Sequence, residues 1–134
     1  MKKTYQGSCH CGQVRFECDL DLAEGTSRCN CSICSKARFW KAFVPGAALR
    51  VLAGEAALQD YRFASHSIRH RFCGQCGIKV FGEGSNPAFG GQFFAVNLAC
   101  FDDLPADELA AAPLRFEDGR HDDWAHAPAD TRLL

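Results

Sequence analysis

The stretch CNCSIC, Cys29 to Cys34, places three cysteines within six residues, and CHC (Cys9, Cys11) and CGQC (Cys73, Cys76) bring the clustered thiols to seven of nine. Cysteines two or three apart are poorly placed to bond each other and well placed to grip one metal ion. A disulfide framework would want an oxidising compartment and an even count, and neither is indicated. Metal binding is the better reading.

FCGQCG is the most specific of the three. A C-x-x-C turn followed by glycine is a zinc knuckle, which aims both sulfurs at one ion and leaves backbone N–H groups free to bond the thiolates. Gly77 lets the chain turn immediately after the second ligand. A reduced redox pair would carry the same spacing, but two further clusters in one chain favour zinc. CHCG, with Gly12 in the matching place, supplies two more sulfurs. Cys9, Cys11, Cys73 and Cys76 together make a closed site of four thiolates, a structural zinc that ties the N-terminal segment to the middle of the chain. Structural zinc binds with on the order of 10 kcal/mol or more, so the site supports the fold directly. His10 lies between two ligands and is expected to point away from the ion.

Cys29, Cys31 and Cys34 can wrap a second zinc but leave its tetrahedron one ligand short. Three protein ligands and an open position are expected of a catalytic zinc. Two other readings stand beside this one: Cys18 or Cys100 folds back as a fourth ligand, or the cluster holds iron–sulfur with a distant cysteine. Three thiolates around Zn²⁺ leave a net charge of −1 and hence a weak Lewis acid, poorly suited to acidifying water. An electron-rich zinc suits an incoming thiol, which coordination deprotonates. Thiol chemistry is therefore expected rather than hydrolysis.

The remaining candidates are less specific. Cys18 and Cys100 read as core residues. His66, His70, His121 and His126 could act as acid–base groups, and nothing in their spacing selects one. Lys36, Arg38 and Lys41 follow the open cluster closely enough to hold a carboxylate, although ordinary surface charge explains them too.

The elements that must position these residues read as mostly β. In QVRFECDL, Val14, Phe16 and Cys18 alternate with Arg15, Glu17 and Asp19, as in a half-buried strand. RFWKAFV, ALQDYRFA, FCGQCGIKVFG and GQFFAVNLACF read as further short strands, and VPGAALRVLAGEA as one more between turns. GEGSNPAFGG, residues 82–91, reads as a loop. Helix is scarce: one turn after Cys31, and Leu104–Ala112, with proline near its start and Asp107 and Glu108 in its first turn. After RFEDG the tail reads as a turn followed by an exposed acidic stretch around Trp124. With no internal linker or repeat, residues 1–134 are expected to form a single zinc-binding domain.

The net charge of −1 hides an asymmetry: residues 1–80 carry 12 Lys/Arg against 6 Asp/Glu, and residues 81–134 carry 3 against 10. That pattern suits either a polarised solvated surface or a positive rim near the metal. A nucleic-acid platform is disfavoured because the whole chain is not basic. Nothing resembles a signal peptide, and no run reaches the roughly 18 apolar residues of a membrane span. The expectation is a cytoplasmic protein without membrane association.

The arrangement GSCHCGQVRF…CNCSIC…RFCGQCG resembles the glutathione-dependent formaldehyde-activating enzyme family, also called the centromere protein V-like family, from about Gly7 to Leu98. The resemblance implies a β-tent of small antiparallel sheets stapled by the structural zinc. It places that zinc on Cys9, Cys11, Cys73 and Cys76 and a catalytic zinc on Cys29, Cys31 and Cys34, two Zn²⁺ per chain. The implied activity joins glutathione to formaldehyde as S-(hydroxymethyl)glutathione, a carbon–sulfur lyase reaction in reverse, with a small thiol and a small aldehyde as partners. Three other functions share parts of this pattern. Methionine-R-sulfoxide reductases look similar in fold and four-cysteine site, but their reactive cysteine two residues before an Asn is Ala95 here, ahead of Asn97. A non-catalytic zinc-binding interaction module would tolerate a closed or empty second site. A redox or metal sensor at CNCSIC would leave the four-cysteine site unexplained.

Overall fold

The computed structural model of the protein describes residues 1–134. Ten strands run in chain order as β1 (Lys3–Ser8), β2 (Arg15–Leu20), β3 (Thr26–Cys29), β4 (Trp40–Pro45), β5 (Leu49–Ala53), β6 (Leu58–Tyr61), β7 (Arg69–Cys73), β8 (Lys79–Asn86), β9 (Gly91–Asn97) and β10 (Leu114–Glu117). Two six-residue helices join them: α1 (Ser32–Ala37) between β3 and β4, and α2 (Ala106–Ala111) between β9 and β10. No helix is long and apolar enough to cross a membrane.

Antiparallel pairing dominates. A three-stranded sheet runs β1-β2-β5, and a seven-stranded sheet runs β10-β3-β4-β9-β8-β7-β6. The mainly β expectation holds, with helix confined to short pieces. The larger sheet carries one parallel pair, β10 with β3, in the register Leu114↔Thr26 to Glu117↔Cys29. This strand lies in the tail expected to form only a turn and an exposed acidic stretch.

Alternation sets the two faces of each strand. On β2, Phe16, Cys18 and Leu20 turn inward while Glu17 and Asp19 turn out to Arg50 of β5, at 2.7 and 2.9 Å. On the larger sheet, Ala42, Val44, Phe81, Phe94 and Val96 join Tyr5, Phe16, Leu20, Leu22 and Leu49 in the main core. That core fills the space between the sheets. Phe81 stacks on Phe94 with ring centroids 5.0 Å apart. The opposite face of the same sheet carries a second cluster, Cys29, Cys34, Phe39 and Ala95, with Ile33 and Phe43 against it. So the larger sheet has a core face and a site face.

The segment read as a loop, residues 82–91, is a hairpin. Gly82 and Gly84 pair with Ala95 and Phe93, β8 runs to Asn86, and only Pro87–Phe89 form a turn. The small residues had suggested a loop, whereas they let the Ile68 and Phe93 side chains lie against Gly84.

Phe81 is 2% exposed, so Phe81→Ala removes a ring from the centre of the core. A loss of about 3–5 kcal/mol is expected. It should be read as a lowered midpoint in urea, at fixed zinc, with unchanged m-value.

Candidate metal centres

Two groups of cysteines converge, Cys9/Cys11/Cys73/Cys76 and Cys29/Cys31/Cys34, each with its sulfurs within 4.8 Å of one another. They are the three sequence clusters, the first and third merged. Cys18 and Cys100 belong to neither, so the fourth-ligand reading has no geometric support. Both are buried, and desolvation pushes each thiol up to about 12, as suits core residues.

The first group is built from two matched knuckles. The N–H of Cys9 bonds the carbonyl of Val14, and that of Cys73 bonds the carbonyl of Ile78, each closing a loop over five residues. Gly12 (φ +79) and Gly77 (φ +80) take the left-handed conformation after the second cysteine, where a side chain would be strained. Amides then point at the sulfurs: Val14 N–H to Cys9 Sγ at 3.3 Å and Gln75 N–H to Cys73 Sγ at 3.4 Å. Neighbouring sulfurs lie 3.6 Å (Cys9–Cys11) and 3.7 Å (Cys11–Cys73) apart. That is too long for a disulfide, and it matches the edge of about 3.8 Å that a tetrahedron with Zn–S of about 2.3 Å requires.

Four thiols this close do not all ionise unaided. The amides of Cys11 and Ile78 draw Cys76 down to about 6. The Gln13 amide pulls on Cys11, yet desolvation and the sulfurs of Cys9, Cys73 and Cys76 outweigh it and push Cys11 up to about 11. A bound cation removes that conflict, so the donor set fits Zn²⁺. His10, between the ligands, is exposed as expected.

The second group sits where β3 meets α1. Cys29 ends β3, Cys31 stands at the N-cap with extended ψ (164°), and Cys34 lies inside the helix. Hydrogen bonds from the Cys29 and Cys34 thiols, with the amides of Cys34 and Ile33, hold Cys31 far below the ordinary thiol range despite its burial. The same pair, Cys29 and Cys31, with burial, pushes Cys34 far up. The donor set is again soft sulfur and fits Zn²⁺, with three ligands from the chain.

Several residues around this group were not legible in the sequence. Lys79 reaches it from β8: its ammonium lies 4.0 Å over the Phe39 ring and donates to His70 Nδ1 at 2.9 Å. Burial lowers the Lys79 pKa, and the Cys34 and Cys31 charges oppose the fall. Burial and the neighbouring Lys79 bring His70 down to about 4, so the ring is neutral, accepts at Nδ1 and carries its proton on Nε2. Of the four candidate histidines only this one is drawn into the site. His66 bonds its own loop, and His121 and His126 pair with Asp118 and Asp123 at the surface.

Lys41 corrects the surface-charge reading. It is 4% exposed and bonds Glu117 of β10 at 2.6 Å. Lys36 and Arg38 are exposed, and Arg38 donates to the Leu133 carbonyl. The acidic C-terminal segment thus closes on the second group. Asn30 bonds Asp118 at 2.8 Å and receives the Arg120 amide at 2.9 Å. Gly119 is required by close approach: a Cβ there would stand 2.6 Å from Cys29 Sγ and from the Trp124 ring. Ala95 does face the cluster, two before Asn97, but offers a methyl group where a thiol would be needed for reductase chemistry.

Comparison with known proteins agrees with this geometry. The model of a family described as glutathione-dependent formaldehyde-activating enzyme matches residues 4–116, which include all seven clustered cysteines. A crystal structure of a Rhodobacter sphaeroides protein is similar at 29% identity and a TM-score of 0.68, over 82% of this chain and 99% of that one.

Metal analysis should return two zinc ions per chain for the purified protein. Cys31→Ser should lower this to about one with circular dichroism and melting little changed. Cys76→Ser should give a chain that fails to fold, the expected result of opening a structural site.

Proposed function

Since the chain belongs to the glutathione-dependent formaldehyde-activating enzyme family, we propose that it forms and cleaves the adduct between a glutathione-type thiol and a small aldehyde. The reaction is of the carbon–sulfur lyase type, and the proposed site is Cys29, Cys31 and Cys34. The observation that carries this reading is the unequal pair of clusters. One offers four sulfurs and the other three, and no further cysteine, histidine or carboxylate joins the three. A protein needing only staples would gain nothing from a donor set one short.

Cys29, Cys31 and Cys34 would hold a zinc ion, which would supply the positive charge that favours a thiol as its thiolate. The chain's own groups do the rest. When the sulfur attacks the carbonyl carbon, a C–S bond forms and the π pair moves onto oxygen. Lys79, fixed by His70 and Phe39, is the cation placed to hold that oxygen by hydrogen bond. The proton lost by the thiol returns to the oxygen, so thiol plus aldehyde gives the hydroxyalkyl thioether with nothing left over. Phe39, Ile33, Phe43 and Ala95 give the site apolar walls, where a charge interaction is less weakened by water.

Exchange between free and glutathione-bound ¹³C-formaldehyde, followed by NMR, should be accelerated by the protein. Cys31→Ser should return the rate to the uncatalysed one. Lys79→Met, with zinc content intact, should lower the maximal rate by about 10²-fold, the usual cost of one oxyanion donor. Undiminished exchange in the Cys31 variant would overturn the reading.

A further inference from the structure

Past Glu117 the chain stays against the three-cysteine group, and both of its anchors are on the segment that carries the cysteines. Asn30, between Cys29 and Cys31, donates to Asp118 at 2.8 Å. Arg120 grips the same residue twice, its amide on Asn30 Oδ1 at 2.9 Å and its Nε on the Asn30 carbonyl at 3.1 Å. Arg38, at the C-terminal cap of α1, donates to the Leu133 carbonyl at 3.1 Å. Residues 118–134 thus form a strap tied at Asn30 and Arg38, beyond the family-matched residues 4–116.

The strap touches two of the three sulfur ligands' surroundings closely. A Cβ at Gly119 would meet Cys29 Sγ at 2.6 Å. At the other end, a turn closed by the Leu134 amide on the Thr131 carbonyl seats Leu134, half-buried, beside Cys29, Cys34, Ser35 and Phe39. The cavity left among them is about 10 Å³, barely the room of one water molecule. A thiol or an aldehyde has no path to Cys29 or Cys34 along this side while Leu134 is in place.

Nothing in the strap makes that closure permanent. None of residues 118–134 is buried, and Leu133 is 82% exposed, so Arg38 holds its carbonyl and not its side chain. The bridge Asp118↔Asp123 is internal to the strap and ties it to no sheet. β10, just before it, is held by its ladder with β3 and by the buried Lys41–Glu117 pair. The boundary between fixed and releasable chain therefore falls near Asp118. Segments held by a few exposed hydrogen bonds open at a small fraction of the free energy of global unfolding.

We propose that residues 118–134 are an autoinhibitory strap over the three-cysteine group. With Leu134 seated, the approach beside Cys29 and Cys34 is shut; release of the Arg38 and Asn30 anchors opens it to small molecules. The consequence for turnover rests on the thiol–aldehyde reading of this site, whereas the control of access does not.

Access is read directly as the rate at which iodoacetamide alkylates each cysteine of the native full chain, mapped by mass spectrometry. Leu134→Lys places an ammonium in a cavity wall that already holds Arg28 and Arg38. Arg38→Asn removes the second anchor and suits the left-handed backbone at that position (φ +53). Each variant should speed alkylation of Cys29, Cys31 and Cys34 by about tenfold, the scale of one lost hydrogen bond to a charged group. Cys9, Cys11, Cys73 and Cys76 serve as internal controls and should keep their rates, with zinc content unchanged. An unchanged rate in either variant overturns the gate, even where formaldehyde exchange is fast. Acceleration that spreads to Cys11, or that comes with loss of zinc, overturns it too, because the fold and not the approach has then been loosened. Faster alkylation confined to the three cysteines upholds the gate, and if those variants show no glutathione–formaldehyde exchange, the gate stands and the lyase reading falls.

Discussion

The structure depends first on sulfurs that are brought together from distant parts of the chain. Cys9 and Cys11 follow β1, Cys73 ends β7 with Cys76 just beyond it, and the two knuckles bring their four sulfurs together. Each knuckle is shaped by its own backbone hydrogen bonds and one left-handed glycine, so it is a local device needing little from elsewhere. What it does not settle locally is charge. Backbone amides hold the Cys76 thiol low, while burial and the sulfurs of Cys9, Cys73 and Cys76 push Cys11 up, so the four do not ionise together without a cation among them. A metal ion there would turn the repulsion into a cross-link.

A second constraint is ionic. Part of the excess of basic residues before position 80 and of acidic ones after it is used in internal pairing. Lys41 bonds Glu117, Lys3 bonds Glu108, and Arg69 and Arg71 lie against Glu83. Only the Lys41–Glu117 pair is fully buried, and removing one partner of such a pair costs about 3–5 kcal/mol. Its contribution is to registration: it fixes β10 beside β3, which sets Asp118 against Asn30 and Gly119 against Cys29. The Lys41–Glu117 pair shows how some of that polarity serves to bring the tail to its edge of the sheet.

What could be read from the sequence was whatever is encoded locally. The knuckles announce themselves by spacing and a trailing glycine, and Val14, Phe16 and Cys18 announce β2 by strict alternation, each 0 or 1% exposed. The strands containing Trp40, Leu49 and Leu58 were legible as short apolar stretches between turn residues, without strict alternation around Trp40. What could not be read was set by distant pairing. Nothing in LRFE says that it will lie parallel to TSRC, and only that pairing buries Glu117 and gives Lys41 its partner. Lys79 looked like one polar residue after a knuckle; it becomes part of the site because β8 carries it to His70 and Phe39. Composition misled at residues 82–86, where glycines and a serine mark crowding by neighbouring side chains on a strand.

The two cysteine groups occupy opposite sides of one architecture, and their separation has a physical use. The four-sulfur group borders the main core, with Cys9 and Cys73 buried in it, so any change there is felt by both sheets. The three-sulfur group belongs to the small cluster on the outer face of the larger sheet, covered by a two-turn helix and the C-terminal segment. Hydrogen bonds from Asn30 and Arg38 hold the part of that cover beyond β10, while β10 itself is fixed by its ladder with β3 and the buried Lys41–Glu117 pair. Elements joined by a few surface bonds open at lower cost than elements sharing a core. Opening the cover beyond β10 would therefore leave the sheets in register, since the main core between them holds them there.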